Sequence, residues 1–251
     1  TMDKKEFSKI VMDLDLEFPP LEWIWRVAEG GEVGKKAMAP LDIDHEVFPV
    51  ESVRGGYYEA STRLGSFIEN RLEKYSEGRN DPDNPAVSGL SPWLHFGHIS
   101  SFRVVKSVLE KSDWTYDLVC IEDTGKGARS GWWGLSESSE SFLDQIITWR
   151  ELGFNFANFR RDHNSLDSIP SWAMKTLNEH RDDERISYTF EEIEGAKTDD
   201  EVWNSAQRQL VRTGHMHNYL RMLWGKRILE WSPDPETAAD WMIRINDRWA
   251  L

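Results

Sequence analysis

The chain has 251 residues, of which 39% are hydrophobic, and this length suits one large or two small domains. Its formal net charge of −14 argues against indiscriminate binding to a polyanion, because each phosphate contact needs a Lys or an Arg. The single cysteine, Cys120, excludes an intramolecular disulfide and a metal site built from several cysteines, and no stretch resembles a signal peptide or a membrane span. We therefore expect a cytoplasmic protein with no membrane partner.

The first half of the chain contains short predicted elements. Pro and Gly recur through residues 1–56, which predicts a linker-like arm. From Tyr57 to Tyr75, apolar residues recur every three or four positions, which predicts an amphipathic helix. Pro92 suits the first turn of a helix that runs towards Glu110. The stretch 123–141 is rich in Gly and Ser and is therefore a predicted loop.

The second half of the chain reads as helices with short links. Helical periodicity returns in SFLDQIITWRELGFNFANF, and no stretch alternates apolar and polar residues as a strand would. Further helices are predicted over 170–180, 189–197, 199–213, 216–231 and 235–248. The sequence therefore predicts an all-α fold with a helical domain over residues 57–251.

Indoles and polar side chains recur at helical spacing between Trp203 and Trp231. Trp224 and Trp231 lie seven residues apart, which is two turns along one helix face and roughly 10 Å. Two indoles at that distance can pass an electron. Asn218 and Arg221 share a face of the same helix and can both reach one polar ring. This combination favours a redox cofactor over a hydrolytic site.

Three strings carry a family resemblance, and they occur in the order SGLSPWLHFGHIS, FLDQIITWREL and EVWNSAQRQLVRTGHMHNYLRMLWGKRILEW. In these strings the chain resembles the FAD-binding helical domain of the photolyase and cryptochrome flavoproteins, and it is most similar to the class II cyclobutane pyrimidine dimer photolyases. The resemblance covers roughly residues 57–251. It implies a multi-helix FAD-binding domain without the family's N-terminal α/β antenna domain, which a separate partner would have to supply.

The resemblance assigns a set of residues to the cofactor FAD. Ser88, Leu90 and Ser91 would wrap the FAD diphosphate, and small hydroxyl side chains and free amides at a helix start suit a phosphate. Asn246 would face N5 of the flavin and govern its protonation. The other implied flavin-lining residues are Gln145, Arg150, Asn204, Gln207, Asn218 and Arg221.

The resemblance also implies a light-driven DNA repair reaction. Trp231, Trp203 and Trp224 match the family's electron-transfer triad, with Trp231 nearest the flavin and Trp224 nearest solvent. Reduced FAD would donate an electron to a cyclobutane pyrimidine dimer that is flipped out of duplex DNA, and would take the electron back after the ring splits. Trp149 would pack against the flipped lesion.

A basic pair, Arg160 and Arg161, follows the predicted helix that bears Trp149. These two side chains are candidates for contacts with UV-damaged DNA, because phosphates are bound by Arg and Lys. The alternative is that they offset neighbouring carboxylates. The sequence leaves both interpretations open.

Two departures from the family pattern keep a second function open. Gln145 stands where cyclobutane dimer photolyases usually carry Glu, and Gln cannot relay a proton. The chain ends immediately before the position of the family's Asp- and Gly-rich flavin loop, so the resemblance implies that this loop is missing. The alternative to a repair lyase is therefore a flavin-binding, cryptochrome-like photoreceptor, or a remnant domain without repair activity.

Overall fold

The structure is a computed structural model that describes residues 42–50, 52–119 and 130–251. The chain divides into two units, Thr1–Phe48 and Pro49–Leu251. Most of the predicted arm over 1–56, Cys120 and the first part of the predicted loop over 123–141 lie outside the described residues. The boundary of the predicted arm at residue 56 stays a prediction.

The described part of the second unit is helical and contains no strand, which confirms the all-α prediction. Its α-helices are, in chain order, α1 (Tyr57–Asn70), α2 (Tyr75–Gly78), α3 (Ser91–His95), α4 (Ser101–Lys111), α5 (Glu137–Asp144), α6 (Arg150–Phe159), α7 (Ser171–Glu179), α8 (Phe190–Glu194), α9 (Glu201–Thr213), α10 (Asn218–Trp231) and α11 (Pro235–Trp249). Short 3-10 turns lie at Leu72–Lys74, Tyr116–Leu118 and Leu166–Ser168, and a π-helical turn spans Gln145–Trp149. None of the described helices combines the length and the low polarity that crossing a membrane requires.

Two of the predicted helices are interrupted. The helix predicted over 57–75 ends at Asn70, because Arg71 leaves the helical region with φ −132° and ψ −22°. The helix predicted from Pro92 to Glu110 breaks after His95, where Gly97 takes a left-handed φ of 70°. A new helix, α4, then begins after a cap. Each break divides one predicted helix into shorter pieces, and the fold class is unchanged.

The later helices agree with the predicted ranges to within a few residues, because most of their ends carry clear capping signals. A capping box between Thr189 and Glu192 begins α8, and Asp234 caps α11. Gly214 ends α9 in the left-handed conformation, with φ 64°. The predicted loop over 123–141 is shorter than expected, because Ser136 caps α5 and the helix begins at once.

Two hydrophobic clusters form the core of the second unit. The first comprises Ala60, Leu64, Phe67, Leu72, Tyr75, Leu90, Trp93, Ile99, Val104, Val108, Phe142 and Leu143. The second comprises Ile193, Trp203, Ala206, Leu210, Met216, Trp224, Ile228, Trp231, Ala238 and Ile245. The three tryptophans that resemble an electron-transfer triad therefore belong to the second cluster.

Glu140 anchors the loop that precedes α5. Its side chain is buried, and its carboxylate accepts backbone N–H bonds from Gly131, from Trp133 at 3.0 Å and from Leu135 at 3.3 Å. Replacement by Ala would leave these three donors without their acceptor. We expect Glu140→Ala to lower the free energy of unfolding by about 3 kcal/mol.

Urea unfolding followed by circular dichroism measures this loss. Glu137→Ala is the matched control, because Glu137 is an exposed carboxylate in the first turn of the same helix. Its removal should cost less than about 1 kcal/mol. Equal losses for the two variants would contradict an anchoring role for Glu140.

Candidate active site

The three predicted tryptophans form one buried cluster between α9 and α10. The rings of Trp203 and Trp231 are 5.2 Å apart between centroids, at an interplanar angle of 75°. The indole N–H of Trp203 donates to the backbone oxygen of Trp224 at 3.2 Å. None of the three side chains is more than 5% exposed. The structure therefore brings together the indoles that the sequence singled out, in close contact and away from water.

Asn204 and Gln207 lie on α9 beside this cluster. Their amide groups bond to the protein itself, so few of their polar atoms are free for a cofactor. Gln207 accepts from the indole N–H of Trp224 at 2.8 Å and donates to the backbone oxygen of Glu194 at 3.1 Å. The Asn204 amide makes three hydrogen bonds to Thr198. Both side chains are at most 1% exposed. Protein partners thus occupy most of the hydrogen-bonding capacity of Asn204 and Gln207, and their flavin contacts stay predictions.

The two tryptophans of α10 lie at different distances along the chain from Arg221. Arg221 lies one turn before Trp224, and its guanidinium donates to the Asn246 side-chain oxygen of α11 at 2.6 Å. Trp231 lies two turns further on, where it lines an open surface groove. Trp224 is therefore nearer to Arg221 along α10 than Trp231 is. The implied order of the triad, with Trp231 nearest the flavin, stays a prediction.

Tyr188 extends the aromatic contacts towards the surface. Its ring meets Trp231 edge to face, with 5.4 Å between centroids, and its hydroxyl donates to a carboxylate oxygen of Asp199 at 3.1 Å. Both residues line the same groove as Trp231. The sequence did not reveal Tyr188, because it precedes α8 in a segment without helical periodicity.

A cationic region surrounds the pair of Arg221 and Asn246. Burial lowers the pKa of Arg221, and no carboxylate among the described residues pairs with its guanidinium. The pKa of His215 is also lowered, first by partial burial and then by its interactions with Arg221, His217 and Arg63. Arg221, His215 and His217 lie within seven residues of one another around the start of α10. Such a region favours an anionic ligand.

Arg63 connects this cationic region to the loop that contains Ser88. The Arg63 Nε donates to the backbone oxygen of Ser88 at 2.8 Å, and its guanidinium lies against Gly89, whose φ is 65°. The Ser88 hydroxyl accepts from the Leu90 backbone N–H at 3.4 Å. Ser91 opens α3 and is exposed, whereas the Leu90 side chain is fully buried. Arg63 is therefore a candidate anion ligand that sequence reasoning missed.

His217 carries a buried polar atom without a partner. Its Nδ1 accepts from the Tyr219 backbone N–H at 3.3 Å at the start of α10, which leaves the proton of a neutral ring on Nε2. Nε2 is buried and makes no hydrogen bond among the described residues. Asn218 is adjacent and exposed. An orphaned donor beside an unpaired guanidinium fits a ligand with both acceptor atoms and negative charge, and FAD is such a ligand.

The predicted lesion-facing residues lie on the π-helical turn between α5 and α6. Trp149 is 51% exposed, and its indole N–H donates to a carboxylate oxygen of Asp144 at 2.9 Å. Gln145 is half-buried at the start of the turn. Arg150 bonds Glu151 at 2.9 Å and lies over the Phe154 ring, 4.4 Å from its centroid. Arg150 thus has two partners within its own helix, and its flavin contact stays a prediction.

The two candidate DNA-binding arginines, Arg160 and Arg161, differ in their contacts. Asp162 accepts two hydrogen bonds from the Arg160 guanidinium, at 2.8 Å and 2.6 Å, and this pairing raises the pKa of Arg160 above its ordinary value. Arg161 is exposed and forms no ion pair within the described part of the chain. Arg160 thus follows the charge-offsetting interpretation, whereas Arg161 is free to meet a phosphate.

Among the described residues, no group of three or more His, Cys, Asp or Glu side chains is placed to share a metal ion. The site described so far consists of a buried cluster of three indoles and, near the start of α10, the side chains of Arg221 and His217. The half-exposed indole of Trp149 lies on the separate π-helical turn. Arg161, which has no ion pair among the described residues, follows the end of α6. Comparisons with known proteins identify the family to which this arrangement belongs.

Several curated relatives share one name, deoxyribodipyrimidine photo-lyase. The relative from Potorous tridactylus is 36% identical over 214 residues, which cover 85% of this chain and 36% of the relative. The relative from Methanothermobacter thermautotrophicus is also 36% identical over 214 residues, with 85% and 41% covered. The relative from Arabidopsis thaliana is 35% identical over 258 residues, with 98% and 48% covered. The chain belongs to the photolyase/cryptochrome family.

The photolyase similarity concerns part of each relative, because the chain spans less than half the length of these three proteins. The crystal structure of a bacterial class III photolyase from Agrobacterium tumefaciens aligns with 76% of this chain and 38% of its own, with a TM-score of 0.49 and 22% identity. No protein-family model matches the chain. The activity of a whole photolyase is therefore a proposal for this chain.

Proposed function

We propose that this chain is the FAD-binding part of a light-driven DNA repair lyase that acts on cyclobutane pyrimidine dimers, in the manner of class II deoxyribodipyrimidine photolyases. The observation that carries the proposal is the buried cluster of Trp203, Trp224 and Trp231, which reaches to within one turn of the paired Arg221 and Asn246. Curated relatives named deoxyribodipyrimidine photo-lyase support it.

The cofactor proposal rests on the cationic region and the adjacent loop. Arg63 and the backbone of Ser88 to Ser91 would hold the FAD diphosphate, with Arg63 as the counter-ion. Arg221, Asn246, Asn218 and the Nε2 donor of His217 would hold the flavin ring. When bound in its reduced form, FAD would supply the light-driven electron that splits the dimer. The protein's part is to bind, orient and shield it.

The aromatic residues would supply electrons that restore the reduced cofactor. Trp224 would be the first donor, because it follows Arg221 by one turn of α10. Trp231 and Trp203 would follow, and Tyr188 would be the outermost donor. The Tyr188 hydroxyl already donates to Asp199, so a carboxylate stands ready to take the phenol proton when Tyr188 is oxidised. This order reverses the one that the resemblance implied.

The lesion would meet the π-helical turn. Trp149 would stack on the flipped dimer through its exposed ring face, and Gln145 would bond the dimer through its amide. Arg161 would contact a flanking phosphate. The acidic remainder of the chain would limit binding to undamaged DNA, because phosphates are repelled elsewhere.

A photorepair assay tests this function. The chain is mixed with FAD and a reductant, then with an oligonucleotide that contains one cyclobutane dimer, and dimer loss is followed under blue light and in darkness. We expect repair in light alone. A protein that binds FAD and dimer DNA without repair would favour the second candidate, a flavin-binding photoreceptor, which the Gln at position 145 also favours.

Removal of Arg161 should weaken DNA binding in a salt-dependent way. The logarithm of the association constant for DNA falls linearly with the logarithm of the salt concentration. We expect Arg161→Ala to reduce the magnitude of this slope by about 1, because one phosphate contact is lost. The matched control removes the internal ion pair through Arg160→Ala together with Asp162→Ala, which keeps the net charge constant. An unchanged slope for Arg161→Ala with a lower slope for the pair would contradict this assignment.

A further inference from the structure

The π-helical turn between α5 and α6 gives Trp149 a partner that an α-helix would not provide. In an α-helix, residues five positions apart point about 140° away from each other. A π-turn closes i to i+5 hydrogen bonds, and here the backbone N–H of Arg150 bonds the backbone oxygen of Gln145. Residues five apart therefore lie on the same face. This geometry lets the Trp149 indole N–H reach the Asp144 carboxylate at 2.9 Å.

Asp144 belongs to a rigid part of the fold. It ends α5 directly after Phe142 and Leu143, which are at most 2% exposed and belong to the first hydrophobic cluster. Trp149 lies on the other side of the π-turn and is 51% exposed. The Asp144 carboxylate thus links the half-exposed Trp149 ring to the end of α5, which is anchored in the first hydrophobic cluster. Without that bond, a side chain with this exposure can sample several χ1 rotamers.

The hydrogen bond restricts the indole without covering it. An indole has a single donor, its N–H, and the Asp144 oxygen occupies that donor. The bond itself uses neither ring face, and 51% of Trp149 stays exposed for stacking. Base stacking on aromatic side chains contributes to nucleic acid binding whatever the base, so a fixed ring angle selects for the geometry of the stacked group.

We propose that Asp144 is a positioning residue that holds the Trp149 indole, through the π-turn, at the angle at which it receives a flipped pyrimidine dimer. This inference rests on the proposed repair function, in which Trp149 contacts the lesion. Asp144 acts through Trp149 and does not itself touch the substrate. The π-turn is the structural reason that the two side chains meet.

Three single variants, one double variant and one control test the inference by titration of an oligonucleotide with a single cyclobutane dimer against its undamaged counterpart. Asp144→Ala should lower the preference for the dimer about threefold to tenfold, because the freed indole divides its population among rotamers. Asp144→Asn keeps an acceptor oxygen and should stay within about twofold of wild type. Trp149→Ala should abolish the preference, and adding Asp144→Ala to it should have no further effect. Asp183→Ala, which removes an exposed carboxylate bonded to His180, should change nothing.

A second measurement does not depend on DNA or on repair. In ¹⁵N-indole NMR spectra, the Trp149 N–H resonance is assigned through its loss in Trp149→Phe. Its hydrogen exchange should be slow in the wild type and in Asp144→Asn, and fast in Asp144→Ala, because the bond protects a half-exposed N–H. Equal exchange in all three proteins would overturn the inference.

The outcomes separate this inference from the proposed function. If Trp149→Ala loses the dimer preference while Asp144→Ala keeps it, the lesion contact stands and the positioning role of Asp144 is overturned. If Trp149→Ala keeps the preference, both the lesion contact and the positioning role fail. If Asp144→Ala loses the preference and Asp144→Asn retains it, the positioning role is supported, since a general loss of folding would affect both variants.

Discussion

Trp224→Phe should slow photoreduction of bound FAD by an order of magnitude or more. Trp224 follows Arg221 by one turn of α10, and under the proposed order its replacement removes the first donor that the cofactor would meet. Phe fills most of the same space but is much harder to oxidise. The measurement is the loss of the oxidised flavin absorption band under blue light with an external reductant.

The control variant for this prediction is Trp172→Phe. Trp172 lies on α7, is 72% exposed and belongs to neither hydrophobic cluster. Its photoreduction rate should match the wild type. Trp224→Phe also loses the hydrogen bond to Gln207, which should cost about 1 kcal/mol of stability without unfolding the protein. Wild-type photoreduction in Trp224→Phe would contradict the electron route.

The order of donors can be tested with the same assay. Under the proposed order, Trp231→Phe leaves the first transfer from Trp224 intact and removes a later step towards Tyr188. Transient absorption should then show a tryptophan radical that forms at the wild-type rate. This radical should decay quickly, because it recombines with the reduced flavin. A complete loss of radical formation in Trp231→Phe, with normal formation in Trp224→Phe, would restore the order that the resemblance implied.

Gln145→Glu should raise dimer repair about tenfold or more. A carboxyl group can donate a proton to a developing charge on the dimer, which a Gln amide cannot do, and general acid catalysis contributes at least this much in many enzymes. Gln145 is half-buried, and its side chain makes no hydrogen bond among the described residues, so the fold should tolerate the change. Repair per bound dimer under saturating blue light is the quantity to compare.

Gln209→Glu provides the matched control, because it makes the same chemical change at an exposed position on α9. It should leave repair unchanged. If Gln145→Glu binds FAD and dimer DNA as the wild type does and repairs no faster, the lesion contact of position 145 is contradicted. A gain confined to Gln145→Glu would show that the π-turn faces the dimer.

The sequence predicted the helical fold well, because the helices are marked by local chemistry. Capping residues such as Thr189 and Asp234, and the glycine at position 214, act within one turn of the ends they define. The π-turn at Gln145–Trp149 was not predicted, because the segment is apolar enough to read as one continuous helix and a single wide turn has no residue signature of its own. The contact of Asp144 with Trp149 was hidden for the same reason.

The site was predicted only in part, because its assignment depends on tertiary contacts. Spacing placed Trp224 and Trp231 on one helix, and the resemblance added Trp203 and an order for the three indoles, which stays a prediction. The contact of Arg221 with Asn246, 25 residues away, is invisible to helical spacing. The protein partners of the buried amides of Asn204 and Gln207 were likewise hidden from the sequence. Arg63 was missed because its partner, Ser88, lies 25 residues further along.

FAD uptake followed by illumination tests the central claim most directly. The purified chain is mixed with FAD, freed of excess cofactor by gel filtration and examined by visible absorption before and after blue light with a reductant. We expect a bound flavin band that bleaches to the reduced form at a rate that Trp224→Phe lowers. A protein that emerges colourless at saturating FAD would contradict the claim that the cationic region around Arg63 and Arg221 is a flavin site.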